Sequence, residues 1–191
     1  MINNKGFTLV ELLAMLTVLA ILMAITVPNV NGILKNQRDN TLVEDAERFI
    51  EQTKTAMTVD SKIKKPAAGE CLVFTLQYVD FNKEIVKGAN NKEYKRFDSI
   101  VVYARVGNEY KYYVRLIESD NNMSIPFSEE YVVSDYQNQN EDKKAQIIRV
   151  DSAEQFSNDA SSITADKIND LAGSTICGSI KEVYLEQKAK Y

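Results

Sequence analysis

Residues 7–27 read FTLVELLAMLTVLAILMAITV, a run of twenty-one residues with one charge, at Glu11, and three hydroxyls, at Thr8, Thr17 and Thr26. A helix needs roughly 20 predominantly apolar residues to cross the hydrocarbon core of a bilayer, so the run predicts a membrane-spanning first half of a long helix. An ordinary secretory signal has an apolar stretch of about 7–15 residues followed by a small-residue cleavage site. This run is too long, and no such site follows Val27. Any removed piece is therefore the one ahead of the run. A carboxylate within a membrane helix costs about 2.5–3.5 kcal/mol at mid-bilayer on insertion scales, and acids found there usually have a function. Glu11 is the candidate functional residue, and its natural counterion is a free α-amino group at Phe7, one turn earlier, or the same group on a neighbouring chain.

Beyond the run, Pro28 removes a helical hydrogen bond and Gly32 loosens the backbone, so a kink is expected there. The helix then resumes. Ile33, Leu34, Leu42, Val43, Ala46, Phe49, Ile50, Thr53 and Met57 recur mostly at steps of three and four, while Lys35, Arg38, Glu44, Glu47, Glu51 and Lys54 fill the other sides, an amphipathic stretch expected to lie against a core. Lys62 to Pro66 is expected to end it at about residue 58. Strands are predicted over Cys71–Asp80, Ser99–Val106 and Glu109–Ile117, with a two-residue hairpin at Gly107-Asn108. Tyr131–Ser134 and Gln146–Val150 read as shorter strands, and Thr164 caps a helix over Ala165–Ala172 that Gly173 ends. Consecutive strands favour an antiparallel sheet on one long helix, an α+β fold.

Composition excludes much chemistry. The chain has no histidine and no tryptophan, so histidine acid–base catalysis and the commonest metal ligand are missing. A net charge of −4 gives no bulk attraction to nucleic acid. No phosphate-cradling glycine loop or nucleophile elbow occurs. The acidic, amide-rich stretches Asp120–Asn122 and Asp135–Asp142 lack EF-hand spacing and read as surface loops. No enzymatic role, cofactor or metal is expected. Cys71 and Cys177 lie 106 positions apart, far from a C-x-x-C spacing. They are either one disulfide of an exported protein or two separately buried thiols. Tyr103, Tyr110, Tyr112 and Tyr113 are explained by cross-strand packing more simply than by an adhesive face.

The stretch Lys5-Gly6-Phe7-Thr8-Leu9-Val10-Glu11-Leu12-Leu13 resembles the class III signal of type IV prepilins and pseudopilins. That resemblance is specific over residues 5 to about 58 and weak beyond. It implies the pilin fold, with a leader at 1–6 cleaved after Gly6 by the prepilin peptidase, and Phe7 as an N-methylated mature terminus. It further implies a transmembrane and filament-core half at 7–28, an amphipathic half at 29–60 and a β-sheet head at 61–191. In such proteins the glutamate matching Glu11 helps to register an incoming subunit. The implied partners are copies of the chain and other pilins, met through the N-terminal helix, and the assembly platform in the membrane. The implied location is the cytoplasmic membrane for the precursor and then a surface filament. A pilus subunit, a pseudopilin of a secretion or DNA-uptake machine, an unrelated single-pass binding protein and a membrane-tethered enzyme stay open as functions.

Overall fold

The computed structural model describes residues 7–80, 85, 87–88, 90–119, 123–150 and 155–186, and of 25–29 the backbone alone. The leader expected at 1–6, with the cleavage expected after Gly6, lies outside the described residues. The chain divides into two compact units, Met1–Arg38 and Asp39–Tyr191.

Helix α1 is assigned without a break over Leu9–Val59, through both Pro28 and Gly32. In the first unit the run from Leu9 to Met23 is apolar on every side, while Ile33 and Leu34, expected to lie against a core, stand exposed among Asn31, Lys35, Asn36, Gln37 and Arg38. Leu9, Val10, Leu12, Leu13, Met15, Leu16, Val18, Leu19, Ile21, Leu22 and Met23 are all at least 50% exposed. Among the described residues no helix is long and apolar enough to cross a membrane. The described side chains of the apolar run end at Ala24, short of the roughly 20 residues a span requires.

The second unit holds the rest of α1 and all other elements. In chain order these are β1 (Glu70–Thr75), α2 (Leu76–Val79), β2 (Ile100–Val106), β3 (Glu109–Ile117), β4 (Ser124–Glu129), α3 (Glu130–Ser134), α4 (Glu141–Ile147), α5 (Ala165–Ala172) and β5 (Ser179–Tyr184). The fold is α+β. Its five strands lie in the order β4-β3-β2-β1-β5. Antiparallel pairs join β1 to β2, β2 to β3 and β3 to β4, but β5 runs parallel to β1. The sheet is therefore mixed, which corrects the antiparallel expectation.

Its two faces are covered differently. Leu42, Val43, Ala46, Phe49 and Ile50 of α1 pack with Val101, Val114, Leu116 and Ile125 on one face. On the other, Cys71, Val73, Ile100, Val102 and Ala104 pack with Phe156, Ile163, Ile168 and Ile176. Burial on both faces is why β1 and β2 read as nearly continuous apolar runs with only partial alternation.

Several local expectations need correction. The strand expected to reach Asp80 stops at Thr75, whose hydroxyl accepts from the Tyr78 N–H at 3.1 Å and starts α2. Tyr131–Ser134 is helix α3, and Gln146 lies inside α4, leaving Arg149 with only an isolated bridge to Ser124. The last turn of α1 holds no basic residue. The cations at 62–65 instead sit in the following loop, which opens with a turn from the Ile63 N–H to the Asp60 carbonyl at 3.0 Å. Other readings hold closely. The hairpin pairs Val106 with Glu109 across Gly107-Asn108, with Gly107 at φ 62°. The Thr164 hydroxyl accepts from the Lys167 N–H at 3.3 Å, and Gly173 closes α5 at φ 66°.

Candidate functional site

The first turn of α1 assembles around its single carboxylate. Thr8 is the residue just before the helix, and Glu11 is its third residue. The Thr8 N–H donates to Glu11 Oε2 at 2.9 Å and the Thr8 hydroxyl donates to the same oxygen at 2.8 Å. In return the Glu11 N–H donates to Thr8 Oγ1 at 3.3 Å. This reciprocal arrangement is a capping box, which satisfies donors that a helix start leaves open. It also places the carboxylate at the positive end of the helix dipole.

The cationic partner expected for Glu11 was a free α-amine at Phe7, its own or that of a neighbouring chain. While Gly6 remains attached that nitrogen is a peptide amide, which carries no positive charge to pair with the carboxylate. What holds Glu11 meanwhile is Thr8. The signal for this was present in the sequence as Thr8-Leu9-Val10-Glu11, a T-x-x-E ahead of an apolar run. Phe7 itself is exposed. The chemistry of the arrangement is that of one anionic group on an otherwise apolar rod.

In the second unit Cys71 and Cys177 form a disulfide, with Cα atoms 5.5 Å apart. Asn169 of α5 holds the second cysteine in place. Its Oδ1 accepts from the Ile176 and Cys177 N–H groups at 2.9 and 3.0 Å, and its Nδ2 donates to the Cys177 carbonyl at 2.7 Å. The disulfide thus staples the start of β1 to the segment that leads into β5.

The tyrosines pack as expected. Tyr103 is buried and stacks on Tyr110 and Tyr112 at 5.4 and 4.5 Å. Burial, with Tyr103 beside it, pushes the Tyr112 hydroxyl up to about 12. Two other tyrosines anchor α1 to the sheet's loops. The Tyr94 hydroxyl donates to Asp45 at 2.8 Å and that of Tyr136 donates to Asp39 at 3.4 Å. Burial raises the Asp45 carboxyl above the ordinary range, although the Tyr94 bond and Arg48 pull it down.

Of the two acidic stretches, Asp120–Asn122 lies outside the described residues. In the other, the Asp135 carboxylate accepts from Asn138 and Gln139, and Asn140 caps α4 through the Lys143 N–H. Among the described residues no cluster of acids and cysteines suits a metal ion.

Residues 1–27 match the family described as the prokaryotic N-terminal methylation motif, the class III signal of type IV pilins and pseudopilins. No curated protein and no solved structure matches the chain.

Proposed function

We propose that this chain is a non-enzymatic structural subunit of a type IV pilus, major or minor. Its leader is removed after Gly6, Phe7 is N-methylated, and the apolar half of α1 anchors the precursor in the cytoplasmic membrane before packing into a surface filament. One observation carries the reading. The methylation motif heads a helix whose large apolar side chains from Leu9 to Met23 all stand exposed around a single acid. A helix that is hydrophobic all round requires either lipid or other helices around it, and a filament core supplies the second after a membrane supplies the first.

Glu11 fits this exchange. Held by Thr8 in the precursor, it meets an amine at Phe7 only after cleavage, its own or that of the subunit already in place. Pairing there offsets the cost of a carboxylate among apolar helices. The filament serves adhesion, twitching motility or biofilm formation.

A pseudopilin of a secretion or DNA-uptake machine is built by the same logic and shares the motif. A second unit spanning Asp39–Tyr191 and the acidic net charge favour a pilus subunit. Immunogold labelling of intact cells separates the two. Long labelled fibres, lost in a deletion strain that still secretes and takes up DNA normally, are expected. Unlabelled cells with a secretion or uptake defect would favour the pseudopilin.

A further inference from the structure

Two oppositely charged patches on the second unit are each only partly compensated by the fold. The first is acidic. Glu44, Glu47 and Glu51 follow one another at three- and four-residue steps along one side of α1, and Glu130 of α3 shares Lys54 with Glu51. Like charges at these spacings repel. Desolvation and the neighbouring Glu44, Glu130 and Glu51 raise the Glu47 carboxyl above its ordinary range. One cation serves the group: Lys54 reaches Glu130 at 2.5 Å and Glu51 at 2.7 Å. Arg48 acts on Asp45. Glu44 and Glu47 have no ion-pair partner among the described residues.

The second patch is basic and is held in shape by the backbone. In the loop after α1, Ile63 and Pro66 are buried, so Lys62, Lys64 and Lys65 are presented outward. Backbone bonds tie this loop to its neighbours: the Gly69 N–H donates to the Arg105 carbonyl at 3.2 Å, and the Ser179 N–H donates to the Gly69 carbonyl at 3.1 Å. Arg105 and Lys65 both lie over the Tyr110 ring, at 5.7 and 5.2 Å. Lys181 donates to the Lys65 carbonyl at 2.9 Å and stands 4.0 Å from Glu70. The Asp60 carboxylate accepts from the Lys62 backbone N–H at 3.0 Å, but the ammonium groups of Lys62, Lys64 and Lys65 and the Arg105 guanidinium have no carboxylate partner among the described residues, and Arg105 Nε is buried without an acceptor.

We infer that the basic loop of one copy docks on the acidic stripe of the next, a repeating contact between heads. This rests on the filament reading above and adds to it a second, polar interface. The two patches are different surfaces, so the contact is heterologous, and a heterologous contact that does not close into a ring propagates as a helical filament. Complementary charge also fixes register and suppresses wrong partners, adding a second register contact to the single acid of the apolar run.

The test uses the full chain in cells that lack the endogenous copy. Reversing the stripe with Glu44→Lys and Glu47→Lys, or the loop with Lys62→Glu and Lys64→Glu, is expected to lower filament yield about tenfold or more through like-charge contact. Combining both reversals is expected to restore yield to within about twofold, a rescue that a folding defect would not give. Independently, filaments built from a mixture of light and heavy isotope-labelled wild-type subunits are treated with a zero-length carbodiimide. Amide cross-links joining Glu44, Glu47 or Glu51 of one isotope to Lys62, Lys64 or Lys65 of the other are expected. Normal yield from both one-sided reversals, or filaments whose mixed-isotope cross-links all lie elsewhere, overturns the contact while the pilus reading stands. A wild-type chain that never polymerises overturns both.

Discussion

The two units of the chain solve opposite problems. From Asp39 onward, most large apolar side chains pack internally: Phe49, Leu72, Phe74, Leu116 and Ile125 are fully buried, both faces of the sheet are covered, and exposed ones such as Val59 and Val150 are scattered singly. From Phe7 to Met23 nothing of the kind happens, and apolar side chains face outward on every side. A folded head satisfies itself, whereas the N-terminal rod is satisfied only by what surrounds it. Substitutions should therefore act on different observables in the two regions, stability in one and assembly in the other.

The largest expected effect belongs to the rod. Glu11→Ala removes the one anion from the run, so membrane insertion should be intact or improved. Filament yield should fall roughly tenfold or more, the factor that a lost interaction of about 1.4 kcal/mol gives. Quantitative blotting of membrane and sheared-fibre fractions reads both, and full fibre yield would break the contrast. In the head, Phe49→Ala opens a cavity beneath α1 and is expected to cost about 3–5 kcal/mol of stability in denaturant titrations. Leu16→Ala in the rod should leave the same titration unchanged.

The disulfide sharpens the contrast within the head. Closing a loop of 106 residues between Cys71 and Cys177 restricts the unfolded chain, and Cys71→Ser with Cys177→Ser is expected to cost about 2–5 kcal/mol. The loss should show as a lower melting temperature that reductant no longer shifts. Smaller still is Thr164→Ala, about 1 kcal/mol for the cap of α5, read in the same melts.

The smallest effect is a slope. The Asp45 carboxyl titrates above its unfolded value of 3.8 when folded. Just above that pH the folded head retains a proton that the unfolded chain has released. Asp45 therefore makes stability fall as pH rises through its folded pKa. Asp45→Asn, which retains an acceptor for Tyr94, should flatten this contribution in melts taken from pH 4 to 7. An unchanged slope would assign it to other groups.

Legibility in the sequence followed the same division. Where one short segment decides an element, the residues were enough. The capped and glycine-terminated α5, the Gly107-Asn108 hairpin and the length of α1 all followed from local signals. Edge strands did not. β4 carries Pro126, which lacks an N–H and disguises a strand that only an edge tolerates. β5 is interrupted by exposed Lys181 and Glu182, and its parallel pairing with β1 arises from contacts far apart in sequence. Tyr131–Ser134 has strand-like composition, yet tertiary placement beside β4 makes it helix. At the N-terminus the apolar run and Glu11 were plain, whereas the capping role of Thr8 required reading the threonine and the glutamate together. The charged patches were visible as lysines and glutamates, but that each lacked a partner became clear only in the fold.

The central claim is that a precursor is trimmed at Gly6 so that an apolar helix bearing one acid can leave lipid and join its copies. N-terminal mass spectrometry of the native protein tests it most directly. The account predicts a product that begins at Phe7 with a methylated amine, recovered in fibres. A native product that still begins at Met1 and never polymerises would contradict it.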